Sequence, residues 1–172
     1  NGKGFSQMMN LSLTQSAFAK LYYPEEELIY IQNTSNTHLD IMRPTLLFGA
    51  LETLAFNINR QNADLKLFEL GKSYLNQLGE IKETEYLSLV ISGAFRMDDW
   101  RQVSPQNVDY FALQGEITAL LKSLGIVDIT YVPENNSIFQ PSLRINFGDQ
   151  KIGVLGKAEA TLSRKMGLKS DA

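Results

Sequence analysis

Cysteine is absent from this 172-residue sequence. That single absence removes disulfides, thiolate zinc sites and a cysteine nucleophile. Histidine occurs once, at His38, so a histidine-rich metal site lacks its ligands, and a Ser–His–Asp triad would rest on one residue in a polar run. An excess of positive charge is missing too: 16 Lys+Arg stand against 19 Asp+Glu, a net charge of −3. No global field draws the chain to nucleic acid, although a local patch stays open. No segment approaches the roughly 20 consecutive apolar residues of a membrane span, and no basic-then-apolar leader opens the sequence. Repeats, low-complexity runs and Pro/Gly/Ser linkers are also lacking. What remains is 44% hydrophobic and 20% charged residues, the balance of an ordinary globular chain. One domain over residues 1–172 is expected. The opening Asn1-Gly2-Lys3-Gly4, without Met, leads us to expect a piece of a longer polypeptide.

Periodicity outlines the elements. Residues 5–13 alternate so that Met9, Leu11 and Leu13 share one face, which predicts a strand. Thr14–Tyr22 reads as a short helix, with Thr14 as its N-cap and Phe18 and Leu21 inward. Leu28–Ile31 is β-prone, and residues 33–38 form a polar loop. The strongest helix signal follows Pro44, which suits a first helical turn. Leu47, Leu51, Leu54 and Ile58 then recur on one face. Gly49 within it costs about 1 kcal/mol against Ala, so a close packing contact is expected there. Leu65–Leu70 predicts a strand that continues past a bulge at Gly71 to Leu75. Asn76–Glu83 reads as a polar turn around Gly79, and Tyr86–Phe95 as a strand with Leu87, Leu89 and Ile91 on one face. After a polar excursion over 97–107 that carries Trp100, Asp109 caps a helix. Leu113, Ile117, Leu120, Leu121 and Leu124 form its inner side, and Gly125 its stop. Ile126–Val132 is a strand, Leu143–Phe147 and Ile152–Leu155 a hairpin, and Ala158–Met166 a closing helix. Short connections and a terminal hairpin give an α+β fold with a largely antiparallel sheet, not a Rossmann alternation.

Local motifs carry little chemistry of their own. Gly153-x-x-Gly156 is the nearest approach to a phosphate loop, and its plainer reading is a bulge or turn. Asp98-Asp99 with Asp109 could hold a metal, but adjacent loop aspartates are usually solvated. Glu25-Glu26-Glu27 reads as a solvated run and His38 as a surface or capping residue. Arg164, Lys165 and Lys169 form a small basic end, which suits a helix C-terminus as well as a phosphate backbone. Two charges have odd settings. Arg43 precedes Pro44 at a helix entrance, where it is either exposed or fixed against a carboxylate. Glu69 interrupts an apolar strand on the face of Leu65 and Leu67, so it is either buried and paired or near an edge. An Arg43–Glu69 pair would account for both.

Several segments, in order along nearly the whole chain, resemble the phenylalanyl-tRNA synthetase beta chain. Met42 to Ala55 (MRPTLLFGALETLA) is similar to that family's "LRPSLLPGLLEALA", and Asn57-Ile58-Asn59-Arg60 continues it. Leu67 to Tyr74 (LFELGKSY) resembles "LFEIGRVF", and Gly4-Phe5 resembles its "GF". Val108 to Gly115 (VDYFALQG) resembles "VDFFDLKG", and Lys151 to Gly156 (KIGVLG) resembles "KVIGVLGELHP". The resemblance implies a module folded like a class II synthetase catalytic core but without catalysis. It also implies a phenylalanyl-tRNA synthetase alpha chain as partner in an (αβ)2 assembly. Phenylalanine, ATP and magnesium would then belong to the parent enzyme, tRNA would be its substrate, and the location would be cytoplasmic without a membrane.

The departures point the same way. By similarity to the alpha chain, Leu75 occupies the place of an arginine that holds the ATP α-phosphate, and leucine makes no charge-assisted bond. A Gly-rich third motif with its arginine has no counterpart, and the family's His-Pro-Gly stretch is Phe139-Gln140-Pro141-Ser142 here. No residue is therefore expected to be catalytic, cofactor-binding or metal-binding. Arg43, Pro44, Glu69, Gly71, Asp109, Gly115, Tyr22 and Tyr23 are expected to be structural or interface positions. A free-standing synthetase-like adapter, or a small enzyme with an unrecognised site, are the competing readings.

Overall fold

The computed structural model describes residues 4–33, 36, 38–95, 106–107 and 109–168. Asp98, Asp99, Trp100, Val108 and Lys169 lie outside the described residues. The fold is mixed α and β and divides into two compact units, residues 1–92 with 164–172 and residues 93–163.

The first unit is built on β1 (Ser6–Gln7), β4 (Leu65–Gln77) and β5 (Glu80–Ser92) in the order β1-β4-β5, after β2 (Leu13–Thr14) and β3 (Ile41–Met42), which pair with each other. β1 runs parallel to β4, and β4 and β5 are antiparallel. The strand expected over 5–13 stops early, and its parity is reversed: Met8 is buried and Met9 is 88% exposed. Met8 makes the last backbone bond to the sheet, at Phe68. Beyond it Asn10 turns inward to polar partners, and Leu11 is left outside. The bulge expected at Gly71 is also absent. β4 and β5 pair without a register break from Leu65↔Ser92 to Gln77↔Glu80. Asn76–Glu83 is not a loop either; strand pairing continues to Leu78-Gly79, whose φ values of 54° and 92° match a primed hairpin turn.

Helix α2 (Leu47–Ile58) forms where the apolar stripe predicts it, and Leu47, Leu51 and Leu54 are buried with Phe48, Ala50 and Ala55. Pro44 lies outside the helix. The first turn is reached through Leu46, with Thr45 Oγ1 accepting from the Leu47 N–H at 3.2 Å. Gly49 is required for the close contact expected of it: a Cβ there would stand 2.8 Å from Asn10 Cβ. Helix α1 (Ser16–Ala19) is shorter than predicted and is not capped by Thr14, which lies in β2. Its N-terminus is held from a distance instead. Asp40 accepts from Ser16 N at 2.7 Å and from Ser16 Oγ at 2.6 Å. Burial pushes the Asp40 carboxyl up, but the Ser16 bonds outweigh it and hold the group below the usual carboxylate range. Phe18 turns toward buried Phe48, their ring centroids 6.5 Å apart, whereas Leu21, expected inside, is exposed.

The second unit contains β6 (Ala94–Phe95) paired with β7 (Gln106–Asn107), and α3 (Tyr110–Ser123) over a sheet ordered β10-β9-β8. Its strands are β8 (Ile129–Pro133), β9 (Phe139–Phe147) and β10 (Gln150–Ala158), all antiparallel. The Asp109 carboxylate accepts from Ala112 N at 3.0 Å, the cap its position predicted, and Gly125 turns the chain at φ 83°. The inner stripe of α3 is only half-buried, however, and Leu124 is exposed. Leu124 is the C-cap, where the backbone has already left the helix direction. Helix α4 (Ala160–Lys165) follows, with both Glu159 carboxylate oxygens accepting N–H groups of its first turn.

Two outcomes follow. Leu51, 2% exposed on α2, is expected to cost about 2–5 kcal/mol when replaced by Ala, read as a lowered denaturant midpoint. The Asp40 carboxyl is depressed in the folded state, so its stabilisation is full above its unfolded pKa and is lost as pH falls through the folded value. Asp40→Asn is therefore expected to lower the urea midpoint at neutral pH, and the difference from the parent chain is expected to shrink as pH falls below the ordinary carboxylate range.

Candidate functional site

Arg43 and Glu69 meet inside the first unit. Arg43 Nη1 lies 2.6 Å from Glu69 Oε1, and the two side chains are only 7% and 4% exposed. Neighbours bond to both groups. Arg43 Nε donates to the Lys72 carbonyl at 2.9 Å, and Glu69 Oε2 accepts from Asn10 Nδ2 at 2.8 Å. Asn10 Oδ1 in turn accepts from Thr53 Oγ1 on α2 at 2.8 Å. The Arg43 backbone joins both flanking segments: its N–H donates to Ser12 and its carbonyl accepts from Tyr74. Gly71 makes room for the guanidinium, since a Cβ there would run into Nη2 and approach Glu69 Oε1 to 3.2 Å. A buried ion pair is stable only with such partners, because each charge has lost its water. The sequence anticipated the pair. It did not single out Asn10, which links β4 to α2, because Asn10 falls on the polar phase of the alternation, where an outward side chain is the ordinary expectation.

The other expected positions are dispersed. Pro44 is buried beside Arg43. Tyr23 is half-buried, and burial pushes its hydroxyl pKa up against an opposing hydrogen bond with Thr45. Tyr22 is half-buried as well. Asp109 is the α3 cap, and Gly115 lies exposed on that helix, where a Cβ would meet nothing. Gly156 is confined by packing, as a Cβ there would run into the Pro141 carbonyl and come within 2.8 Å of Phe139 Cβ. His38 is exposed, with Nδ1 3.3 Å from Gln15 Nε2. Glu25 pairs with Lys20 at 2.7 Å, and Glu25 and Tyr30 hold the Lys20 pKa up at about 12.

Among the described residues no three His, Cys, Asp or Glu come together as ligands. Leu75 lies on the β4 face that carries Glu69 and Gly71, and offers only methyl groups. An open cavity of about 640 Å³ in the second unit is lined by residues of the β8–β9 connection, including Glu134, Asn136, Phe139 and Gln140. Its one carboxylate, Glu134, is bound to Lys151 at 2.7 Å. No helix is long and apolar enough to cross a membrane among the described residues.

The opposite face of β4 and β5 carries exposed apolar side chains among charged ones. Leu70 and Leu87 face each other across the strands at 68% and 45% exposure, and Ile81 is exposed on the same face. Lys72 pairs with Glu83 beside them. This surface was missed because β4 is apolar at both parities, with Leu67 inward and Leu70 outward; that doubled pattern was its signal.

The fold's likeness to known structures gives it a class. Two structures of pyrrolysyl-tRNA synthetase from Desulfitobacterium hafniense match it with a TM-score of 0.71 over 98% of this chain and 58% of theirs, at 19% identity. The fold is that of class II aminoacyl-tRNA synthetase cores. The family model described as "Phenylalanyl tRNA synthetase beta chain CLM domain" matches residues 1–172, and the chain belongs to that family. It is 31% identical to the phenylalanine–tRNA ligase beta subunit of Fusobacterium nucleatum over 98% of this chain and 22% of that protein. The Bacteroides fragilis beta subunit is 32% identical over 90% and 20%, and that of Thermotoga maritima 29% over 99% and 22%. The chain thus spans about a fifth of the length of these curated relatives.

Glu69→Gln is expected to destabilise the chain by about 3–5 kcal/mol, because it leaves the Arg43 charge buried and uncompensated. Replacing both partners with apolar residues, Arg43→Met with Glu69→Leu, is expected to recover most of that loss. Chemical denaturation of the single and double variants measures both; additive losses would contradict the coupling.

Proposed function

We propose that this chain is a non-catalytic, subunit-interface module of a phenylalanine–tRNA ligase beta subunit. On this reading it positions an alpha chain within an (αβ)2 assembly. The alpha chain holds phenylalanine and ATP, magnesium belongs to the parent enzyme, and the assembly charges tRNA in the cytoplasm. The family match over residues 1–172 carries the reading. It runs through both compact units, which supports treating them as one module. Leu75 gives phosphate no charged donor at that place on β4, and no acidic cluster forms among the described residues, which supports placing ATP and magnesium elsewhere in the parent enzyme. A free-standing adapter is less well supported, because the matched relatives are named as beta subunits.

The interface itself is proposed to draw on exposed apolar side chains. Leu70, Ile81 and Leu87 on the β4–β5 face, with Leu21 beside Tyr22 and Tyr23, are its candidates. Stable subunit interfaces are richer in such groups than ordinary surface. The chain, co-expressed with a phenylalanyl-tRNA synthetase alpha chain, is expected to co-purify with it. Leu70→Ser with Leu87→Ser is expected to weaken that association at least tenfold while the thermal melt stays cooperative. By itself the chain is expected to show no phenylalanine-dependent ATP–pyrophosphate exchange. Exchange by the chain without the alpha subunit would refute the non-catalytic reading, and full-strength binding by the double variant would remove this face from the interface.

A further inference from the structure

The sheet of the second unit has one face toward α3 and one away from it. Tyr131, Ile145 and Leu155 share the α3 side, where the Tyr131 hydroxyl lies 2.8 Å from Thr118 Oγ1. Strand alternation places Arg144 and Asn146 on the other side. There Arg144 stands between Val132 and Val154 on the neighbouring strands, and Asn146 stands between Thr130 and Lys151. Arg144 is half-buried, and its Nε is shut off from solvent with no hydrogen-bond partner. No carboxylate of the described residues pairs with it. Glu134, opposite Ser142 and one same-face step away, gives both oxygens to Lys151 at 2.7 and 3.0 Å. Among the described residues the other cations are paired, as Arg43 and Lys72 are, or exposed, as Lys82 and Lys122 are. An arginine half-buried between two valines, with its Nε closed off and no counter-charge, carries a desolvation cost that an aliphatic residue would avoid. The Asn146 side chain likewise makes no hydrogen bond among the described residues, and the cluster of Arg144, Lys151 and Glu134 keeps one net positive charge.

We propose that Arg144, with Asn146 and Lys151, binds a phosphate group on this face of the sheet. The three side chains offer donors from adjacent strands: a guanidinium, an amide and an exposed ammonium that can swing from Glu134. That set suits a tetrahedral oxyanion, whereas a planar carboxylate would need the guanidinium alone. The inference uses the second unit only and stands apart from the subunit-interface reading, so either can fail without the other. The test is an NMR titration of the isotope-labelled chain with inorganic phosphate, at ionic strength held constant with chloride. Saturable shifts are expected at the Arg144 Nε–H and the Asn146 side-chain amide. Arg144→Met is expected to abolish them, and Lys151→Met to weaken binding about tenfold. If Arg144→Met does not fold, Arg144→Lys keeps the charge without the fork and is expected to lose about tenfold in affinity. Parallel titrations with phosphate and adenosine monophosphate separate a free ion from a nucleotide phosphate, and saturation by either at Arg144 supports the site. Absence of saturable shifts in the parent chain, or an equal response in the Arg144 variant, overturns it.

Discussion

The buried contact between Arg43 and Glu69 is the constraint around which the first unit is arranged. A guanidinium and a carboxylate removed from water must be surrounded by hydrogen-bonding groups, and those groups come from separate segments. Asn10 supplies a donor from the chain after β1, and Lys72 supplies a carbonyl from β4. Thr53 fixes Asn10 from α2. Sterics then narrow the choice of neighbours: Gly71 leaves room for the guanidinium and Gly49 for Asn10. Two glycines and one amide are thus explained by one ion pair, which no count of local propensities would connect.

Such a centre differs in kind from an active site, although both concentrate charge. In an active site charged groups retain capacity for a substrate, and their strength comes from being aimed at something absent in the resting protein. Here the charges are mutually satisfied, and the Arg43 backbone is tied to Ser12 and Tyr74. The arrangement serves rigidity. It sits on the same strand as Leu75, so polar capacity on that face of β4 is used to hold the fold together, in a family whose wider fold class includes synthetases.

What the structure leaves unsatisfied lies elsewhere. Leu70 and Leu87 form an apolar pair on a face whose reverse side is packed, and Arg144 holds a charge without a counter-charge on another sheet. An exposed apolar pair costs little in isolation, whereas an unpaired half-buried cation costs more. On the readings proposed for them, the two features take different occupants: one a complementary apolar surface, the other an oxyanion. Both contrast with α3, whose cap and stop are locally complete while its apolar stripe is only half covered.

Elements decided within a few residues were legible in the amino-acid order. The leucine spacing of α2, the Asp109 cap, the Gly125 stop and the hairpin around Gly148 depend on neighbours along the chain, and each forms. The Arg43–Glu69 pair was legible for another reason: a charge in an apolar strand demands a partner, and few candidates existed. Decisions between distant segments were not legible. The inward face of residues 5–13 reverses because Asn10 is drawn to Glu69 and Thr53. Helix α1 is capped by Asp40, 24 residues away, instead of by adjacent Thr14. Leu70 lies outward because only one side of β4 meets the segment leading into α2. Alternation and helical period specify which residues share a face; which face is buried depends on what packs against it, and only the tertiary structure supplies that partner.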